Sequence, residues 1–89
     1  MSSGNVKITG RQIAAARELL NITQAQLAAA VGMQHAVLGR IEVGKVEPRQ
    51  SSLDRIREVL EEQGIVFING GTPGVKLDPS KARPPEKRE

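Results

Sequence analysis

Four side chains suited to contacts with base edges lie close together in residues 34–43. They are Gln34, His35, Val37 and Arg40. An arginine guanidinium can bond O6 and N7 of guanine together, a glutamine amide can pair with adenine or a phosphate, and a valine can touch a thymine methyl. Each also has a plainer interpretation: an arginine on phosphate or in solvent, a helix-start glutamine, a surface histidine, a partly buried valine. We expect base contacts if a helix turns these side chains away from its core face.

Catalytic and metal-binding chemistry is poorly represented in the chain. It has one histidine and no cysteine, so a metal site or a catalytic triad has almost nothing to build from. No paired carboxylates, nucleophile–base set or phosphate-binding loop is visible. We therefore expect no enzyme activity, no cofactor and no metal site, and no small-molecule effector is evident.

The composition indicates one small domain with unevenly placed charge. Its 89 residues leave a thin core, and no disulfide can stabilise it. No apolar run approaches the ~18 residues that span a bilayer, and no signal-peptide pattern is present, so we expect a soluble cytoplasmic protein. The net charge of +3 is a weak signal alone, but residues 1–50 hold six basic and three acidic side chains. The positive field belongs to that half.

Two capping boxes predict the first two helices. Thr9 with Gln12, and Thr23 with Gln26, each place a threonine hydroxyl three residues before a glutamine amide that can reach back. Apolar residues at helical spacing follow the first box and give that helix one buried face. The second helix is expected over about 24–31.

Glycines mark the ends of the next elements. Gly32 ends the second helix, where a sharp turn needs a residue that accepts positive φ. A third helix is expected over about 34–43. Ser51 can cap a fourth helix, which Gly64 stops. The apolar stripe of this fourth helix is Leu53, Ile56, Val59 and Leu60.

Beyond residue 64 the pattern changes from helical to strand-like. Residues 65–68 are β-branched or aromatic, 69–71 are turn formers, and apolar residues alternate over 74–77, so a β-hairpin is predicted. Four successive apolar positions predict burial of both faces, and the four helices can cover only one. Because an isolated hairpin is also marginal in water, we expect two hairpins to pair in a homodimer. The expected dimer contacts are Ile65, Val66, Phe67, Ile68, Val75 and Leu77.

The two ends of the chain are expected to lack regular structure. Residues 1–8 have little periodicity and are interpreted as an N-terminal arm. The proline-rich, charged residues 78–89 are interpreted as a disordered tail. Between them we expect a helical domain at 9–64 and the hairpin at 65–77.

The spacing of small and apolar residues over 23–43 meets the demands of a helix-turn-helix. Ala28 lies where two steeply crossing helices come closest, and Gly32 follows four residues later. Apolar residues stand one, six and nine positions after that glycine: Met33, Leu38 and Ile41. All five demands are met, which predicts a two-helix device for reading DNA.

The stretches TQAQLAAAVGM and GRIEVGK resemble the helix-turn-helix of the lambda-repressor-like, or XRE, family of transcriptional regulators, and the resemblance covers about residues 9–64. It implies a mainly α fold: a four-helix lambda-repressor-like helix-turn-helix domain, here followed by a C-terminal β-hairpin. It also implies that Arg17 and Glu42 form a mainly structural pair. The third helix would enter the major groove, while the start of the second helix holds a phosphate.

Contacts to the DNA backbone are expected at both ends of this unit. The first turn of the second helix directs backbone N–H groups and a helix dipole at a nearby phosphate. Two basic residues follow the third helix, and a glycine inside that helix is interpreted as making room for close backbone approach. The expected backbone contacts are Thr23, Gln24, Gly39, Lys45 and Arg49.

The chain departs from the family pattern at three points. Gln34 stands where a serine or threonine cap is usual, and Val43 replaces a common asparagine, which removes a backbone contact. The fifth helix of many members is missing. In its place, GIVFINGGTPGVKL resembles the tail of a group of short bacterial XRE regulators and suggests a different dimer interface.

Two functions from different classes remain open. The first is a sequence-specific double-stranded DNA-binding regulator, a dimeric repressor on an inverted-repeat operator. The second is a protein-binding adaptor on the same scaffold, such as an antitoxin or antiactivator that grips a partner with its hairpin. The polar and basic groups on the third helix favour the first.

Overall fold

A computed structural model describes residues 7–83 as four helices followed by a two-stranded antiparallel hairpin. The elements are α1 (Gly10–Leu20), α2 (Gln24–Val31), α3 (His35–Glu42), α4 (Gln50–Glu62), β1 (Ile65–Ile68), β2 (Gly74–Leu77) and a 3-10 turn (Pro79–Lys81). This order confirms the predicted mainly α fold class. Residues 1–6 and 84–89, which include most of the expected arm and half of the expected tail, lie outside the described residues.

Both predicted capping boxes are present. The Thr9 hydroxyl accepts from the Gln12 backbone N–H at 3.1 Å, while the Gln12 side-chain oxygen accepts from the Thr9 N–H at 2.9 Å. Thr23 and Gln26 repeat the arrangement at 3.0 and 2.8 Å. Each box satisfies N–H groups that the first turn of a helix leaves without intrahelical partners, so both helix starts are set locally.

The turn between α2 and α3 is built as its glycine predicts. Gly32 adopts φ +79°, a left-handed conformation that only glycine enters at little cost. The Met33 N–H then donates to the Ala28 carbonyl at 2.9 Å and closes the end of α2. This fixed turn sets the direction in which α3 leaves.

One apolar core lies between the helices. Its largest fully buried side chains are Ile13, Leu27, Leu38, Ile56 and Leu60. Ala28 is 1% exposed, as expected for the point where helices approach most closely. Gly10 also permits a close approach, because a Cβ there would collide with the Ile41 carbonyl and lie 2.7 Å from that of Glu42. The start of α1 therefore packs directly on the end of α3.

The start of α4 corrects the expectation that Ser51 caps it. The N-cap is Arg49, without a side-chain cap bond, and the helix begins at Gln50. The Arg49 carbonyl already accepts from the Leu53 N–H at 3.0 Å, so Ser51 lies within the first turn rather than before it. Backbone hydrogen bonding and burial of Leu53 decide the helix start here instead of a hydroxyl cap.

The ends of the domain are more ordered than the sequence indicates. Ile8, expected in a loose arm, is 5% exposed and belongs to the core. Residues 78–83 correct the expectation of a disordered tail for that part of it. The Asp78 N–H donates to the Gly64 carbonyl at 2.8 Å, and the Arg83 N–H donates to the Glu62 carbonyl at 2.7 Å. These bonds return the chain to the end of α4.

The hairpin presents one face to the helices. In the register Ile65↔Leu77 and Phe67↔Val75, four apolar side chains join the core or pack against it. Val66 and Ile68 alternate with them and so lie on the opposite face, where Ile68 is 42% exposed. The helices cover one face only, as expected, and the second face stays open in the single chain.

Candidate DNA interface

Helix α3 has one buried and one exposed side. Leu38 and Ile41 are 0% and 4% exposed and hold the helix on the core. Gln34, His35 and Arg40 are exposed on the surface that this packing leaves free. Because the Gln34 side chain makes no cap bond at the start of α3, its exposed amide can bond an external partner. The helix therefore offers an amide, an imidazole and a guanidinium to an external partner.

Two of the expected DNA contacts on α3 are only partly accessible. Val37 is half-buried and packs against the core, which favours the packing interpretation over a thymine contact. Gly39 is also half-buried, and a Cβ there would lie 3.4 Å from the Gln24 side-chain oxygen. That distance is ordinary van der Waals contact, so nothing within the domain requires glycine at this position.

Arg17 and Glu42 form the structural pair that the resemblance implies. Arg17 Nε and Nη2 donate to the two Glu42 carboxylate oxygens at 2.9 and 3.2 Å, and Nη1 donates to the Ile22 carbonyl at 3.1 Å. The Glu42 side chain is only 3% exposed. The hydrogen bond to Glu42 raises the pKa of Arg17, which keeps the guanidinium protonated. It ties α1 and the start of α2 to the end of α3.

The Gln24 side chain extends this pair to the surface. Its Nε2 donates to Glu42 Oε1 at 2.8 Å, and its Oε1 lies 3.1 Å from His35 Nε2. From the sequence, Gln24 is expected only as a contact to the DNA backbone. A link between residues 18 positions apart depends on how α2 crosses α3, which no local pattern indicates.

The start of α2 keeps the features expected of a phosphate site. The Thr23 hydroxyl oxygen accepts from the Gln26 N–H and so fixes the first turn, while its O–H proton can still be donated outward. The backbone N–H groups of Gln24 and Ala25 have no partner within the helix, because the first turn never provides one. Ala25 is exposed and Gln24 half-buried, so an anion can approach this end.

The basic residues after α3 are available for an external anion. The Lys45 N–H donates to the Arg40 carbonyl at 2.8 Å, which fixes the turn that follows α3. Lys45 and Arg49 are both exposed. Within residues 7–83, no ion pair involves Arg40, Lys45 or Arg49. Lys7 differs, since it pairs with Glu47 at 3.1 Å.

Residues 13–64 match a family model described as helix-turn-helix, of the XRE, lambda-repressor-like type. The chain belongs to this family. The match covers the four helices after the first turn of α1 and supports a DNA-binding helix-turn-helix regulator. No curated protein matches the chain.

Residues 7–83 contain no cluster of three histidine, cysteine or acidic side chains able to hold a metal ion. No helix within the same residues is long and apolar enough to cross a membrane.

Proposed function

We propose that this member of the XRE-type family is a sequence-specific repressor that binds double-stranded DNA as a homodimer, with α3 in the major groove. The observation that carries the proposal is the exposed side of α3. Gln34, His35 and Arg40 share it, and the Arg17–Glu42 pair fixes the helix that bears them. A helix positioned rigidly in this way can hold base contacts in register.

The hairpin supports the dimeric part of the proposal. Its outer face carries Val66 and Ile68, while both strands are edges of a two-stranded sheet. The bond from the Asp78 N–H to the Gly64 carbonyl continues the register of the β1–β2 ladder. Hydrogen-bonded and non-hydrogen-bonded pairs alternate along an antiparallel ladder, so the backbone N–H and C=O groups of Ile65 and Phe67 point away from β2. Such an edge can pair with the same edge of a second copy and extend the sheet across a dimer.

A twofold axis through paired hairpins would place two α3 helices on one side of the dimer. Reading helices of a helix-turn-helix dimer enter successive major grooves about 34 Å apart. The proposed operator is therefore an inverted repeat with half-sites about 10 base pairs apart.

Selection from a random duplex library tests the function. We expect the protein to enrich an inverted repeat and to bind it at least about a thousandfold tighter than random duplex. Light scattering should find the full chain dimeric at tens of micromolar. Enrichment of no sequence would contradict the repressor proposal, and enrichment of a single unrepeated site by a monomer would contradict the dimer.

A protein-binding adaptor is the second candidate, and one observation favours it. An open, mainly apolar groove of about 510 Å³ lies between the start of α1, the end of α3 and β2. Val43, on its rim, is 69% exposed. Under this alternative, Val43→Asp would abolish binding of the partner protein, while Arg40→Ala would leave that binding intact.

A further inference from the structure

Two hydrogen bonds link Glu42 to His35 through the Gln24 amide, and their donors and acceptors can be assigned in only one way. A carboxylate can only accept, so the Gln24 atom 2.8 Å from Glu42 Oε1 must be the amide nitrogen. The Gln24 oxygen is then the atom that faces His35 Nε2 at 3.1 Å. An amide oxygen also only accepts, so His35 Nε2 must carry a proton.

We infer that Gln24 is a positioning residue, which holds the neutral His35 ring with its proton on Nε2 and leaves Nδ1 as a hydrogen-bond acceptor for a base. This inference rests on the proposed function. In the major groove, the donors that such an acceptor can read are the amino groups of adenine N6 and cytosine N4. His35 would therefore favour an adenine or a cytosine at its position, whereas Arg40 donates and favours guanine.

The orientation of the Gln24 amide is fixed by its hydrogen bond to Glu42. Glu42 is 3% exposed and receives two bonds from Arg17, so its oxygens cannot turn away. Turning the Gln24 amide over would place its oxygen against a buried carboxylate oxygen and lose the donor to Glu42. Loss of a hydrogen bond to a charged group, with a buried acceptor left unsatisfied, is strongly unfavourable.

The proton position can be measured without DNA, because the chain has a single histidine. Nitrogen-15 NMR of the neutral ring distinguishes the two tautomers. We expect the wild-type protein to hold the proton on Nε2 alone, and Gln24→Ala to show a mixture of both tautomers. Gln63→Ala, which changes an exposed glutamine after α4, is the matched control and should behave as wild type. A proton on Nδ1, or the same mixture in wild type and Gln24→Ala, would overturn the inference.

The effect of Gln24 and His35 on sequence preference is measured by a double-mutant cycle. The DNA is the best duplex that wild-type protein selects from a random library. The readout is the ratio of affinities for this duplex and for random duplex. We expect Gln24→Ala and His35→Ala each to lower it about tenfold, and the double variant to lose little more. Both single variants should lose preference at the same base pair. A Gln24→Ala variant that keeps the wild-type ratio would contradict the inference and leave Gln24 a backbone phosphate contact.

The two failures are distinguishable. If wild-type protein prefers no sequence, the proposed function is wrong, and the tautomer measurement still decides whether Glu42 orients His35 through Gln24. If wild type prefers a sequence but the losses of the two single variants simply add, only the inference is wrong. Thermal melting of each variant identifies any loss caused by unfolding, which would lower binding to both duplexes alike.

Discussion

At the scale of single residues, Arg40 separates base reading from general attraction to DNA. Its side chain is exposed on α3 and has no ion-pair partner among residues 7–83. If it bonds a guanine edge, Arg40→Ala should cost about 1 to 3 kcal/mol on the selected duplex and much less on random DNA. Fluorescence anisotropy titrations of both duplexes measure the difference. Equal losses would reduce Arg40 to a phosphate contact.

Arg17 has a structural role, unlike Arg40. Arg17→Ala should destabilise the domain by about 3 kcal/mol, because it leaves the Glu42 carboxylate buried and unpaired. Arg55→Ala is the matched control, since its pair with Glu58 is exposed at 3.5 Å and should contribute less than about 1 kcal/mol. Urea unfolding measures both. Similar midpoints for the two variants would show that the Arg17 pair is not structural.

At the scale of elements, Gln12 joins the hairpin to α1. Beyond its capping bond, its buried Nε2 lies 3.0 to 3.2 Å from the carbonyls of Ile68 and Gly74 and the side-chain oxygen of Asn69. Gln12→Ala removes this buried amide donor from the end of the hairpin, so we expect a loss of about 2 kcal/mol and faster hydrogen exchange in the hairpin. The equivalent residue of the second capping box, Gln26, provides the control.

Gln26 is exposed, and among residues 7–83 its side chain makes only the capping bond to Thr23. Gln26→Ala should therefore cost about 1 kcal/mol or less and leave exchange in the hairpin unchanged. Matching losses in the two glutamine variants, with equal exchange rates in β1 and β2, would show that Gln12 acts only as a cap.

Local sequence patterns predicted the helices and strands well, but they did not predict contacts between residues that are distant in the sequence. The capping boxes, Gly32 and the alternation in β2 depend on residues a few positions apart, so the sequence displays them directly. Gln12 reaches the hairpin 56 to 62 positions away, and Gln24 reaches Glu42 across a helix crossing. A capping glutamine looks the same whether or not its amide also holds another element. The packing of Ile8 also depends on residues distant in the sequence, so no local pattern predicts it.

At the scale of the whole molecule, charge should make DNA binding depend steeply on salt. Lys45 and Arg49 are exposed basic groups beside α3, and bound phosphates release counterions. Binding affinity should fall by roughly tenfold or more between about 50 and 200 mM salt. Lys45→Ala should reduce the slope of log affinity against log salt by about one and weaken all sequences alike. An unchanged slope would remove Lys45 from the interface.

Dimethyl sulfate protection on the selected duplex tests most directly whether two α3 helices of one dimer read successive major grooves, as proposed. This reagent methylates guanine N7 in the major groove and adenine N3 in the minor groove. We expect two clusters of protected guanines, about 10 base pairs apart on one face of the duplex, with minor-groove adenines between them still reactive. Protection of a single cluster, or of minor-groove adenines alone, would contradict the account.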